Sequence, residues 1–387
     1  MAQIKIKNVG PIKEAEFLLN KINVFMGPQS SGKSTIAKII SYCQWVEKRV
    51  LLDGEYKEKA EKQLLKYHHL HENYFEKNSF FEYESDFIKI RYGGKNLNES
   101  IEVEKSKILD YKKTKNIYIP AERNFVSVIP NLGKYNETND NIMNLIYDWY
   151  DAKKEIGKQE PKPILNLGVD YYYQKNAENE DMLVLKNKKE IPLNTGSSGL
   201  QSIIPLVLIL DYLTEKFYEI EIPLRQSEKD YLQELFGKDY SEFDSRRKNY
   251  HSTNFIIEEP EQNLFPETQR DLIYYLLKKC SGKRDHSLTI TTHSPYVLYA
   301  LNNCMLGDLV NSQIKGTERE KEFLDCSFLS KESWINSKSV SVWEIEDGKL
   351  RQVQDEDNII SKNYFDNIMT DLTDEYFEML EFYDDEE

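Results

Sequence analysis

Ile22-Asn23-Val24-Phe25-Met26-Gly27-Pro28-Gln29-Ser30-Ser31-Gly32-Lys33-Ser34-Thr35 is the stretch on which the reading of the whole chain turns. Ile22–Met26 is almost continuously apolar, the pattern of a strand covered on both faces. It stops at G-x-x-x-x-G-K-S, where two glycines let backbone N–H groups turn inward around phosphate oxygens. Lys33 is then placed to reach the β- and γ-phosphates, and the Ser34 hydroxyl to ligate Mg²⁺. Ile36, Ile39, Ile40, Cys43, Val46 and Val50 follow on one helical face, predicting a helix over about 33–50. Strand, glycine loop and helix in this order make Gly27, Pro28, Gln29, Ser30, Ser31, Gly32, Lys33, Ser34 and Thr35 the candidate nucleotide-binding residues.

Upstream, Ile4 and Ile6 alternate with Lys5 and Lys7, and Pro11 marks a turn, so three short strands are expected over 3–26. Downstream, 53–116 is rich in Lys, Glu, Tyr and His and reads as an inserted helical arm or lid. Ile117–Ile119 returns to strand and ends at Pro120-Ala121-Glu122-Arg123. A hairpin is expected over 182–191. Thr195-Gly196-Ser197-Ser198-Gly199 then precedes an apolar helix, Leu200 to about Leu213, which Pro205 should kink or tighten in its first turns. Ser198 and the Gly199 N–H would lie at that helix N-terminus, where anions are favoured, though an ordinary cap would look the same. Residues 215–250 are a second charged insertion.

Phe255-Ile256-Ile257-Glu258-Glu259-Pro260 is a buried strand ending in two acids. Glu258 is assigned the metal role, Glu259 the role of polarising an attacking water. After a helix over Pro266–Lys279 and a strand over Ser287–Thr291 comes His293, which can hydrogen-bond a γ-phosphate. A lone histidine is usually structural; its place some 35 residues after the acids favours function. Ser294 caps the next helix with Pro295 at its first position. Val340–Ile345 and Lys349–Val353 flank Asp347-Gly348, a hairpin signal.

In this order the pieces resemble an ABC-type ATPase head. The closest likeness is to the OLD-like (overcoming-lysogenization-defect) ATPases, related to the SMC and DNA-repair heads. Glu258 to Pro266 is similar to that family's acidic motif and following loop, and Ser197 to Ser202 to its degenerate signature, with Leu200 departing from a second glycine. Tyr118 to Arg123 and Val340 to Trp343 also look familial. The resemblance implies an α/β fold with a mixed β-sheet core and helical insertions, and an ATP hydrolase needing ATP and Mg²⁺. It also implies a head-to-tail homodimer, in which Ser198 and Gly199 of one copy cover the phosphate held by Lys33 of the other. Gln262 and Asn263 would lie in the loop crossing that interface; the family's glutamine loop is not located, and Glu122 and Arg123 are candidates for a site beside the end of the 117–119 strand. Core segments are expected over 1–52, 117–214 and 251–362, with an acidic amphipathic tail at 363–387.

OLD nucleases carry a Toprim domain after the ATPase. Here 94 residues follow His293 without such an acidic cluster, so a separate nuclease or toxin effector is expected. ATPases of this sort occur in anti-phage systems such as PARIS and Septu. A DNA-repair or chromosome-structure ATPase is the alternative, though 53–116 is too short for a long coiled-coil arm.

The net charge of −15 argues against one broad nucleic-acid surface, without excluding a local basic groove. No apolar run approaches the roughly 18 residues of a membrane span, and the N-terminus lacks a signal-peptide core, so cytoplasmic residence is expected. Cys43, Cys280, Cys304 and Cys326 form no C-x-x-C pair and are expected to be reduced and mostly buried. His68, His69 and His71 could bind zinc but read better as a solvated face. From Asp366 to Glu387 the only charges are ten acids, and Phe365, Ile368, Met369, Leu372, Tyr376, Met379, Leu380 and Tyr383 recur at helical spacing. The expected use of that stripe is packing on the chain's own core, with docking of a basic partner as the alternative.

Overall fold

A computed structural model describes residues 2–54, 61–93, 98–129, 132, 135, 140–175, 180–219, 223–236 and 249–383. All of 237–248, within the second charged insertion, and the last four acids lie outside the described residues. The first three strands, β1 (Ala2–Val9), β2 (Ile12–Leu19) and β3 (Ile22–Met26), stand where expected, and every residue of β3 is buried. Helix α1 (Lys33–Asp53) begins at Gly32. It ends at Gly54, whose positive φ lets its N–H reach the Val50 carbonyl and close the last turn.

The expectation of a helical arm over 53–116 is corrected. The segment contributes β4 (Phe75–Glu84), β5 (Ile88–Gly93) and β6 (Asn98–Val103), an antiparallel extension hydrogen-bonded to β1. Phe81, Tyr83, Ile88, Ile90 and Tyr92 alternate with polar residues and pack on the α1 side of the sheet. That period of two, built from aromatic and β-branched side chains, outweighs the Lys and Glu content that suggested a helix.

β7 (Thr114–Ile119) leads through the short helix α2 (Phe125–Val128) to α3 (Asn141–Lys153). β8 (Lys162–Pro163), β9 (Asp170–Tyr173), β10 (Asp181–Val184) and β11 (Glu190–Pro192) form a small antiparallel sheet, order β11-β10-β9-β8. Helix α4 (Ser198–Thr214) follows, then α5 (Gln226–Phe236). The remaining core is β12 (Ser252–Glu258), α6 (Pro266–Cys280), β13 (Ser287–Thr292), α7 (Pro295–Ile314), the short α8 (Arg319–Asp325), β14 (Val340–Glu346) and β15 (Lys349–Gln352). Asp347 and Gly348 both have positive φ, as a two-residue hairpin turn requires.

The main sheet runs β6-β5-β4-β1-β2-β15-β14-β3-β13-β12-β7. Its half from β14 to β7 is parallel, and β3 sits between β14 and β13. Ile22, Val24 and Met26 face the core formed with α3, α4, α6 and α7, while Phe25 faces α1. β3 thus lies inside a mixed sheet, with β12 and its terminal acids two places away and α4 on one face, and the expected α/β fold with a mixed β-sheet core stands. Among the described residues no helix is long and apolar enough to cross a membrane.

The last helix, α9 (Tyr364–Leu380), corrects the core-packing expectation for the tail. Tyr364 and Phe365 rest on the core, but Ile368, Met369, Leu372, Tyr376, Met379 and Leu380 are all exposed. His68 corrects the solvated-face reading: it is buried, its ring 4.8 Å from those of Tyr67 and Tyr118. His69 pairs with Asp140 and His71 accepts from the Asn73 N–H, so the three histidines serve separate partners. Of the cysteines, Cys326 is exposed and the other three are buried.

Candidate functional site

Ligands of open α/β sheets sit beyond the carboxyl ends of the strands, and here those ends bring the candidate residues together. Met26 is in register with Thr292, Glu258 with Thr291, and Ile257 with Ile119. The loop after β3, the acids after β12, His293 after β13 and Arg123 after β7 therefore share one edge.

Gly27 and Gly32 have φ of 142° and 107°, values that suit glycine. Lys33 is buried and its Nζ donates to the carbonyls of Gly27 (2.9 Å) and Pro28 (2.8 Å). Burial lowers its pKa to about 8, against the opposing pull of Glu259 and Glu261. Ser34 and Thr35 occupy the first turn of α1, half-buried and buried.

Glu258 is buried, and among the described residues its Oε1 has no hydrogen-bond partner. Glu259 leaves the strand line with φ of 43° while its N–H donates to the Thr291 carbonyl (2.9 Å). Its Oε1 lies 3.1 Å from His293 Nε2, and that hydrogen bond, more than any other influence, holds the carboxyl below the usual glutamate range. The two residues assigned to water activation and γ-phosphate sensing thus contact each other.

Glu261 is a residue the sequence reading missed. Its Oε1 accepts from Thr292 Oγ1 (2.8 Å) and from the His293 N–H (2.6 Å), which fixes the backbone at His293. Burial raises its pKa. The only signal in the sequence was a third acid in the run Glu258-Glu259-Pro260-Glu261. Arg123 is fully buried at the end of β7 and, among the described residues, donates to backbone carbonyls. Glu122 is exposed.

Ser198 and Gly199 are the first two residues of α4, and the helix starts two residues earlier than expected. Ser197 supplies the cap, its hydroxyl accepting from the Leu200 N–H. Ser198 is exposed, and among the described residues no hydrogen bond or ion pair joins it to Lys33 or Ser34. A Cβ on Gly199 would lie 2.8 Å from the Asn263 carbonyl oxygen, so the loop after the acids presses directly on this helix start.

The chemistry of this edge fits a magnesium nucleotide. A glycine-built loop opens onto a helix N-terminus beside a buried lysine. Among the described residues, Ser31 Oγ, Glu258 Oε1, Glu261 Oε2 and Gln262 Oε1 are buried oxygens with no partner. Unpaired buried oxygens are costly, and a hard cation that prefers oxygen ligands suits Glu258 Oε1 and the Ser34 hydroxyl. No group of three or more His, Cys, Asp or Glu poised for a metal occurs among the described residues.

No family model matches the chain, and no curated protein matches it in sequence. Among solved structures it is similar to the SMC head domain from Thermotoga maritima (10 % identity, 92 % of this chain and 98 % of that one, TM-score 0.39). It is also similar to the ATP-binding cassette MJ0796 bound to ADP and Pi, in a dimeric post-hydrolysis state (11 %, 91 % and 99 %, 0.31). A third is the recombination mediator protein RecF (13 %, 91 % and 97 %, 0.35). Identities this low concern fold alone, and the assignment of the site rests on its own geometry.

Proposed function

We propose that this chain binds and hydrolyses ATP with Mg²⁺, at a site that a second copy completes. The supporting observation is the convergence of Lys33, Glu258, Glu259 and His293 at the carboxyl edge of β3, β12 and β13. Lys33 holds the β- and γ-phosphates, Ser34 and Glu258 hold Mg²⁺, Glu259 orients and deprotonates the attacking water, and His293 meets the γ-phosphate. Magnesium supplies neutralisation of phosphate charge.

Lys33 gives the direct test. Its alanine variant should bind Mg·ATP about 10- to 100-fold more weakly in calorimetry, the loss of a charged hydrogen-bonding group. The parent should also show a pH signature that the variant lacks. With its pKa lowered to about 8, Lys33 is protonated at pH 7 and loses its charge as pH rises through 8. Bound phosphate restores the proton, so affinity should fall by up to about tenfold per pH unit above 8, with proton uptake on binding. Unchanged affinity in the variant would remove the assignment.

A separate effector is the second part of the reading, and the exposed tail helix supports it. Leu372 is 59 % and Phe382 87 % exposed, in a segment whose first turn rests on the core. A 17-residue helix is marginal alone in water, and large contiguous apolar patches mark interaction sites. Its acids repel a second copy of itself and favour a basic amphipathic partner. Following the motif resemblance, we take that partner to be an anti-phage nuclease or toxin, with the ATP cycle holding or releasing it; direct action on DNA is the rival. Truncation after Asn367 keeps the Tyr299–Asp366 contact. It should leave ATP turnover and Tm near the parent's but release the neighbouring gene's product on co-purification. Retention would discard this surface, and a fall in oligomer mass would assign it to self-association.

A further inference from the structure

Arg123 follows β7 and is fully buried, yet among the described residues it makes no ion pair. Its Nη1 donates to the Glu258 carbonyl (3.0 Å), and its Nη2 to the carbonyls of Glu259 (3.0 Å) and Pro260 (3.0 Å). Its Nε donates to the Ser202 carbonyl (3.2 Å) on α4. One rigid fork therefore grips the backbone that carries both candidate acids and the helix that begins with Ser198 and Gly199. Four residues on, Ser127 Oγ donates to the Gln201 carbonyl (3.0 Å). That carbonyl has no helical partner, because Pro205 lacks the N–H four residues later. The turn 121–128 thus holds α4 at two consecutive carbonyls, one of them freed by a proline inside the helix.

A buried guanidinium is expensive, and similar-sized apolar side chains often stabilise a fold as well. What they cannot supply is several donors in fixed directions. Here the directions bear on the site: Glu259 has φ of 43°, its carboxylate lies 3.1 Å from His293 Nε2, and the gripped carbonyls are those of 258–260. Gly199 lies against the Asn263 carbonyl on the same loop, so acid loop and helix start already touch at a second point.

We propose that Arg123, with Ser127, is a positioning clamp that ties the Glu259 carboxylate to the first turns of α4. A displacement of Ser198 and Gly199 on contact with a second copy is then passed to the acid that activates water. The clamp rests on the ATPase reading above, and it gives that site a route by which pairing controls hydrolysis.

The test is Arg123→Lys, which keeps the charge but offers one ammonium in place of a planar fork. Turnover per nucleotide-binding site should fall by about 10-fold or more, since small misplacements of catalytic groups cost this much. Mg·ATP affinity should stay within about threefold, because Lys33 and its loop are untouched. A residue that only glues the fold would lower Tm and leave turnover per binding site unchanged, and that result overturns the clamp. If Arg123→Lys does not fold, Ser127→Ala is judged by the same split, and parent-like turnover there overturns it equally. A parent protein that neither binds nor turns over ATP would instead refute the ATPase reading, a distinguishable failure.

Discussion

Glu259→Gln should lower ATP turnover by about 10²- to 10³-fold while leaving Mg·ATP affinity within a few-fold of the parent. The substitution is nearly isosteric and keeps the φ of 43°, which costs glutamine no more than glutamate. What it removes is the carboxylate charge. In the parent, the hydrogen bond from His293 foremost, with Lys33 and Arg123 adding attraction, outweighs burial and keeps this group ionised below the ordinary glutamate range. A depressed carboxylate pKa means the base form persists as pH falls from 7, and activity on this limb is lost only once pH passes the lowered value. The Gln variant should show no such limb. Single-turnover and steady-state rates separate the outcomes. A trapped complex that binds ATP without hydrolysis is the expected result. Hydrolysis at the parent rate would give the base role to another group, and the loss of turnover in His293→Ala alone would point to the histidine.

The parts of this site that could be read from the sequence are those whose chemistry is local. The loop from Gly27 to Ser34 declares itself because each residue acts within eight positions of the others. Glu258 and Glu259 do so because they end an apolar run. The Asp347-Gly348 turn and the Ser294-Pro295 cap are fixed by backbone preferences of one or two residues. Arg123 is different. Its partners are the carbonyls of Ser202, Glu258, Glu259 and Pro260, and a carbonyl carries no side-chain signature. Glu261 was hidden by two neighbours with the more familiar roles. In β4 to β6 the alternation of Phe81, Tyr83, Ile88, Ile90 and Tyr92 was present, but it was masked by the lysines and glutamates of the opposite face. The tail shows the complementary limit. Helical spacing from Phe365 to Tyr383 reports an apolar face, but it does not say whether the chain itself or a partner covers it.

A site completed in trans makes a stronger demand than any single substitution. Ser198→Arg should abolish hydrolysis, by about 10²-fold or more, while ATP affinity changes little. Ser197, not Ser198, caps α4, and Ser198 is exposed, so arginine there leaves the helix start intact and only crowds what approaches it. Lys33→Ala disables the other half of the machinery. Mixed in one head-to-tail dimer, the two variants leave one site with a parent Lys33 loop facing a parent α4 start. The second site carries both lesions. Heterodimers of verified composition should therefore recover about half the parent activity per dimer from two inactive proteins, where independent sites would recover none. Two defects within one self-contained copy cannot repair each other by association. Zero activity in verified heterodimers would mean that Ser198 serves its own chain, and that the loop contact between Gly199 and Asn263 is the whole of its role.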